Sequence, residues 1–179
     1  GIDTWAVDYV LLDANDQILG QTYGYRDKRT HGMDREVYRI LSQSDLYART
    51  GIQKQIFNTI YQLMAVRKQQ PEIMDAAQNF MMLPDYFHFL LTGEKRTDYT
   101  NATTTQLVSP QTKDWDYELI DMLGFPRKIF KSLSMPGSEV GLFSKEMEEE
   151  LGFGCKVILP PTHDTASAVL AVPAINDDF

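Results

Sequence analysis

At 179 residues, with 43% hydrophobic and 23% charged side chains, the chain has the material of one soluble globular domain with a real core, and its composition argues against disorder. Seventeen basic residues against 25 acidic ones give a net charge of −8 with no basic run. Nucleic acid and anionic membrane surfaces are therefore poor partners, because both demand clustered Lys and Arg, although a local positive pocket could still take a phosphorylated ligand. Cys155 is the only cysteine, so no intramolecular disulfide can form, which fits a reducing cytoplasm. No stretch approaches the roughly 20 apolar residues of a membrane span, and no secretory leader is visible. The chain opens directly on strand-like sequence and closes on AVPAINDDF without a finishing element. Further sequence is expected on both sides.

Ile2 to Leu12 is rich in β-branched and aromatic residues. With the turn-prone Asp13–Asp16 and the return Gln17–Leu19, it predicts a β-hairpin. The polar stretch YGYRDKRTHGMD reads as loop. A short helix is expected from Asp34 to Leu41, and a second over Asp45–Thr50 with Ser44 as its cap and Gly51 just past its end. Asn58–Gln69 carries Ile60, Leu63, Met64, Ala65 and Val66 on a helical face, with Arg67 and Lys68 in the last turn. Pro71 starts the next turn. Within Ala76–Leu91, Pro84 opens a helix that Gly93 ends.

The threonine-rich TDYTNATTTQLVSPQTKDWD has no helical period and reads as loop anchored by Leu107 and Trp115. Helices follow at Tyr117–Leu123, ended by Gly124, and at Lys145–Leu151, capped by Ser144 and ended by Gly152. Lys156–Leu159 reads as a buried strand, and Pro160-Pro161-Thr162-His163-Asp164 turns it into a small-residue helix over Thr165–Val172. No internal repeat appears. The fold class is α/β.

The strongest chemical signal is that final strand-to-helix turn. Ligands of open α/β sheets gather at the carboxyl ends of strands. A carboxylate at Asp164, beside backbone N–H groups, would be kept ready to accept a proton. An ordinary helix N-cap explains the same aspartate equally well. His163 by itself reads as a hydrogen-bonded loop residue. Asp3 and Asp8 interrupt an apolar run, and carboxylates there need partners. A ligand site and bonds to loop backbone, Arg26 or Arg29 stand level as explanations. Trp5 between them could supply a flat wall for a sugar face, though a core role is the common one. Arg26, Asp27 and Arg29 read as a structural salt-bridge cluster before an anion site, and Glu146–Glu150 as a solvated helix face. No metal-ligand spacing, Walker loop or dinucleotide fingerprint is present.

Taken together, the blocks GIDTWAVDYVLLD, YRDKRT, YARTGIQ, NTIYQL, PDYFHFLLTGE, YTNATTTQLV and HDTASAV occur in order over nearly the whole chain. They resemble the FGGY carbohydrate kinases, and TGIQ, NTIYQL and YTNATTTQL resemble the branch acting on rhamnulose. The resemblance implies an actin-like, ribonuclease-H-like fold of two domains closing over a cleft, with this chain an incomplete first, sugar-binding domain. The upstream phosphate-binding hairpin and the ATP-binding second domain would lie outside it. It also implies that Asp164 is the catalytic base, that His163 and Thr165 flank it as sugar contacts, and that Ala6 lines the sugar site where the family has glycine. Trp5 and Asp8 are counted with them. ATP and Mg²⁺ are the implied cofactors of the full-length enzyme, with none expected on the fragment, and the implied acceptor is the primary hydroxyl of L-rhamnulose. The Ala6 departure leaves room for another ketose such as L-fuculose. A sugar-binding module that has lost its ATP half is the non-enzymatic alternative.

Overall fold

Residues 1–174 are described by the structure, a computed structural model; the end of the AVPAINDDF segment, residues 175–179, lies outside them. The first apolar run does not form one continuous strand. Thr4 makes a single parallel bridge to His163, the backbone bends at Ala6 and Val7, and regular strand β1 begins at Tyr9–Leu12. Val7 sits at φ +68°, a left-handed conformation that a β-branched side chain adopts only under constraint. The expected hairpin turn forms, with Asp13 Oδ1 accepting from the N–H groups of Asn15 (2.7 Å) and Gln17 (2.9 Å). Its return arm contributes only a bridge from Ile18 to Leu12. The full partner of β1 is β2 (Asn79–Met82), antiparallel with Tyr9 opposite Met82. That strand falls where the sequence shows only an apolar approach to a helix.

Helices α1 (Met33–Tyr38) and α2 (Gln43–Thr50) come next. The first stops short of Leu41. The second is capped by Ser42, whose Oγ accepts from Asp45 N–H at 3.1 Å, and not by Ser44, whose hydroxyl hydrogen-bonds to that of Ser42. Gly51 closes it in the left-handed region, as expected. Helix α3 (Thr59–Gln69) is the spine of the fold, buried without interruption from Thr59 to Val66. A helix buried on every side needs its polar groups paired, which explains why Gln62 and Thr59 both donate to Val7 O. Tyr61, Leu63 and Met64 join Phe80, Trp115, Leu119 and Ile120 in the main core cluster.

Helix α4 (Pro71–Ala76) leads into β2, and α5 (Leu83–Thr92) follows at once, with Pro84 in its first turn and Gly93 ending it. The threonine-rich stretch read as loop is more ordered than that: it holds β3 (Thr97–Asp98), α6 (Tyr99–Thr103), β4 (Val108–Ser109) and β5 (Asp114–Trp115). Leu107 and Trp115 are buried anchors there, as expected. After α7 (Tyr117–Met122) come β6 (Leu133–Ser134), β7 (Glu139–Leu142), α8 (Lys145–Leu151), β8 (Lys156–Ile158) and α9 (Asp164–Leu170). Ser144 caps α8, which buries no side chain, so its glutamates are solvated as read.

Strands pair in twos among the described residues: β1 with β2, β4 with β5 and β7 with β8 antiparallel, and β3 with β6 parallel. The last strand is only half buried: Val157 and Leu159 face inward, while Lys156 and Ile158 are exposed. Among the described residues no helix is long and apolar enough to cross a membrane.

Candidate active site

The turn from β8 into α9 is held by backbone on one side and by a buried carboxylate on the other. Thr4 N–H donates to Thr162 O (3.0 Å), and Asp164 N–H donates to Thr4 O (2.9 Å). These two bonds are what bring Thr4 alongside residues 162–164, although some 160 positions separate them in sequence. Helix α9 starts one residue earlier than its pattern suggests. His163 occupies the N-cap position and Asp164 is the first helical residue, which removes the simple N-cap explanation for the aspartate.

The Asp164 side chain is 57% exposed. Its Oδ1 accepts from Thr165 N–H (2.6 Å) and from Thr165 Oγ1 (3.3 Å), and His163 Nε2 stands 3.7 Å away. All these contacts fall on Oδ1; among the described residues none donates to Oδ2. One oxygen is thus fixed by its neighbours while the other faces solvent, a geometry able to accept a proton from a hydroxyl placed there.

Asp8 is of the opposite kind, 2% exposed. Its Oδ2 accepts the indole N–H of Trp5 (2.8 Å) and the backbone N–H of Tyr25 (3.2 Å), while Oδ1 is buried without a partner. Burial pushes its carboxyl above the ordinary aspartate value, against the pull of those hydrogen bonds and of the Arg29 charge. Of the explanations offered for Asp8, the bond to loop backbone is present, through Tyr25, and the same oxygen also fixes the orientation of Trp5. The argument from a buried carboxylate does not extend to Asp3, which is exposed.

Trp5, half exposed, lines an open cleft of about 370 Å³ with Asp8, Gly24, Tyr25, Arg26 and Asp27. Asp164 is not among the lining residues; it is joined to this cleft through Thr4. Tyr25 is backed by Phe57, the two rings meeting edge to face (5.3 Å). The salt-bridge cluster expected at residues 26–29 does not form among the described residues. Instead Asp27 caps a short 3₁₀ turn through Arg29 N–H (2.8 Å), and Arg29 reaches Gln62 Oε1 (2.8 Å) and stacks over Tyr23. Arg26 lies over the Tyr25 ring and donates to its hydroxyl (3.1 Å).

Sequence reasoning missed the residues beneath the turn. Asp98, fully buried, accepts on Oδ2 from Thr162 N–H (3.0 Å), Thr162 Oγ1 (3.0 Å), Asn101 N–H (2.9 Å) and the Thr100 hydroxyl. Its own N–H donates to Asp85 Oδ1 (3.2 Å), and burial drives the Asp85 carboxyl well above its usual range. An aspartate just ahead of a threonine-rich run was the available signal, because Asp commonly caps a short helix. No group of three or more His, Cys, Asp or Glu able to hold a metal occurs among the described residues.

The family described as "FGGY family of carbohydrate kinases, N-terminal domain" matches residues 1–171. A rhamnulokinase of Halalkalibacterium halodurans is 54% identical over 177 residues, covering 99% of this chain and 38% of that protein. A rhamnulokinase of Oceanobacillus iheyensis is 54% identical over 173 residues, covering 97% and 37%. The chain thus spans well under half the length of these relatives. Among solved structures, a xylulose kinase from Rhodospirillum rubrum superposes with a TM-score of 0.84 at 20% identity, over 93% of this chain and 35% of that one. A gluconate kinase from Lactobacillus acidophilus gives 0.81 at 23%, over 88% and 32%. The mixed helix and strand architecture is therefore that of the actin-like, ribonuclease-H-like sugar kinases, and with its family match running from the first residue to the helix that carries Asp164, the chain belongs to the FGGY carbohydrate kinases, in their N-terminal domain.

Proposed function

We propose that this chain is the sugar-binding part of a cytoplasmic, ATP-dependent kinase that phosphorylates the primary hydroxyl of L-rhamnulose to give L-rhamnulose 1-phosphate. The observation that carries this is the Thr4–His163 bridge. It ties Thr4, the residue before Trp5 and Ala6, to the turn that carries His163, Asp164 and Thr165, in a chain 54% identical to rhamnulokinases, and so supports reading these residues as one site.

Each residue then has a stated task. Trp5, held by Asp8, offers a flat apolar face to the sugar ring or chain. Ala6 sets how closely the sugar approaches the backbone, and His163 and Thr165 contact its hydroxyls. Asp164 Oδ2 accepts the proton of the primary hydroxyl as its oxygen attacks, while Thr165 keeps Oδ1 in place. ATP would supply the γ-phosphoryl group and leave as ADP, with Mg²⁺ neutralising the charge that builds on the phosphates. In this reading the nucleotide and the metal are held chiefly by a second domain elsewhere in the parent protein. Such chemistry depends chiefly on positioning.

One observation favours a second reading: the methyl group of Ala6 where the resemblance implies glycine, which would suit another ketose such as L-fuculose. A coupled ADP-release assay of the full-length protein over a ketose panel separates the two. L-Rhamnulose should give the highest kcat/KM, and equal activity on L-fuculose would refute the first reading. Asp164→Asn in the same protein should lower kcat by at least ~10²-fold, the lower end of what a general base contributes, with folding retained by circular dichroism. Near-normal turnover would show that Asp164 serves only to start α9.

A further inference from the structure

We propose that Asp98 is a positioning residue for this reaction: its buried carboxylate clamps Thr162 and so determines where the carboxylate of Asp164 stands. The inference rests on the reading of Asp164 as the base. Asp98 is 0% exposed, and the donors that meet it are uncharged; four of them converge on one oxygen. Two come from Thr162, its backbone N–H and its hydroxyl, both at 3.0 Å. Capping the five-residue helix α6 would need only the Asn101 bond. The Thr162 bonds instead tie α6 and β3 to the residue two before Asp164.

The neighbouring contacts complete the clamp. Thr162 O accepts from Thr4 N–H (3.0 Å) and from Asn101 Nδ2 (3.4 Å), His163 N–H donates to Thr100 Oγ1 (3.4 Å), and Asp164 N–H donates to Thr4 O (2.9 Å). Every backbone N–H from Thr162 to Asp164 is therefore tethered, two of the three by Asp98 or by the threonine bonded to it. Beyond this point the support thins to one side-chain bond back to the turn, from Ser167 Oγ to Pro161 O (2.7 Å), since α9 fully buries none of its side chains. The place of Asp164 is fixed from its N-terminal side, and Asp98 is the centre of that attachment. Proton acceptance needs the carboxylate within about 3 Å of the hydroxyl, and a displacement of ~1 Å at such a site costs on the order of 10²-fold in rate.

The test uses the full-length protein and four variants: Asp98→Asn, Asp164→Asn, the double variant, and Thr162→Val, which keeps shape while removing one donor to Asp98. Turnover is followed by ADP release, and L-rhamnulose affinity by calorimetry. Asp98→Asn should lower kcat by ~10- to 10²-fold with sugar Kd held within about twofold. In the Asp164→Asn background the same change should cost less than about threefold, since a base already removed cannot be misplaced. An equal loss in both backgrounds, or a loss confined to sugar affinity, overturns the positioning role while leaving Asp164 as base. Near-normal turnover of Asp164→Asn alone overturns the base reading and the proposal with it. If Asp98→Asn does not fold, Thr162→Val decides by the same comparison: a kcat loss present only with Asp164 supports the clamp, and an unchanged kcat or an equal loss in both backgrounds refutes it.

Discussion

Replacing Gln62 by leucine removes a hydrogen-bonding hub while filling nearly the same space. Gln62 is 1% exposed in the middle of α3. Its Nε2 donates to Val7 O (3.0 Å) and to Phe57 O (3.0 Å), and its Oε1 accepts from Arg29 Nη2 (2.8 Å). The two neutral bonds are worth about 1 kcal/mol each and the charge-assisted one about 1.5–3 kcal/mol, so Gln62→Leu should destabilise by about 3.5–5 kcal/mol. Thr59→Val is the calibrating variant. It removes only the hydroxyl bond to Val7 O (2.8 Å), for about 1 kcal/mol. Equilibrium urea unfolding of the 179-residue chain reads both, and an unchanged slope would place the effect in the native state. Because Trp5 belongs to the segment that Val7 anchors, its fluorescence should red-shift in Gln62→Leu before global unfolding. A Gln62→Leu variant within 1 kcal/mol of the parent, or no more damaging than Thr59→Val, would refute this account of how residues 5–8 are held.

Two further predictions concern groups away from the cleft. Burial pulls the buried His88 down to about 4 from 6.5. Unfolded chains then bind the extra proton between those values, so stability that is complete above about pH 6.5 is lost as pH falls toward 4, by on the order of 3 kcal/mol. His88→Gln keeps an acceptor for the Ile2 N–H (2.8 Å) and should flatten that decline, read as urea midpoints at pH 7 and pH 4.5; parallel declines would refute it. Arg49 grips Asp116 with two bonds (2.7 and 2.8 Å) and Glu118 with a third (2.7 Å), tying α2 to α7. Arg49→Met should cost about 2–3 kcal/mol and Arg49→Lys should restore less than half of it, because an ammonium cannot reproduce the two-point contact; full rescue by lysine in thermal melts would contradict this.

Elements closed by local chemistry were legible in the sequence. Gly51, Gly93 and Gly152 end their helices in the left-handed region, and Pro84 opens α5, because those residue types solve a backbone problem at their own position. Elements made by distant pairing were not. Asn79–Met82 is a short apolar run entering a helix without turn residues, and only its pairing with β1, some 70 residues earlier, makes it a strand. Helix α6 had one local signal, its capping Asp98, but what holds that aspartate is Thr162, a partner 64 residues away that no local pattern shows. In the candidate site, the ordered blocks pointed to Asp164, Ala6 and Trp5. Spacing could not say that Asp8 faces inward while Asp3 faces out, since the alternation that would have told them apart breaks at Val7.

That break has a meaning for how this position can vary. Val7 is 5% exposed, so packing selects an aliphatic side chain. Its φ of +68° selects glycine or asparagine, and a β-branched residue there stores about 1–3 kcal/mol. No amino acid satisfies both demands: glycine relieves the backbone and opens a hole, isoleucine fills the space and keeps the tension. Position 7 lies between Ala6 and Asp8, so the compromise is set within the candidate site itself. Random libraries selected for thermal tolerance and libraries selected for turnover would then diverge at this codon, the first toward relaxed backbones and the second toward the taut one that presents Trp5.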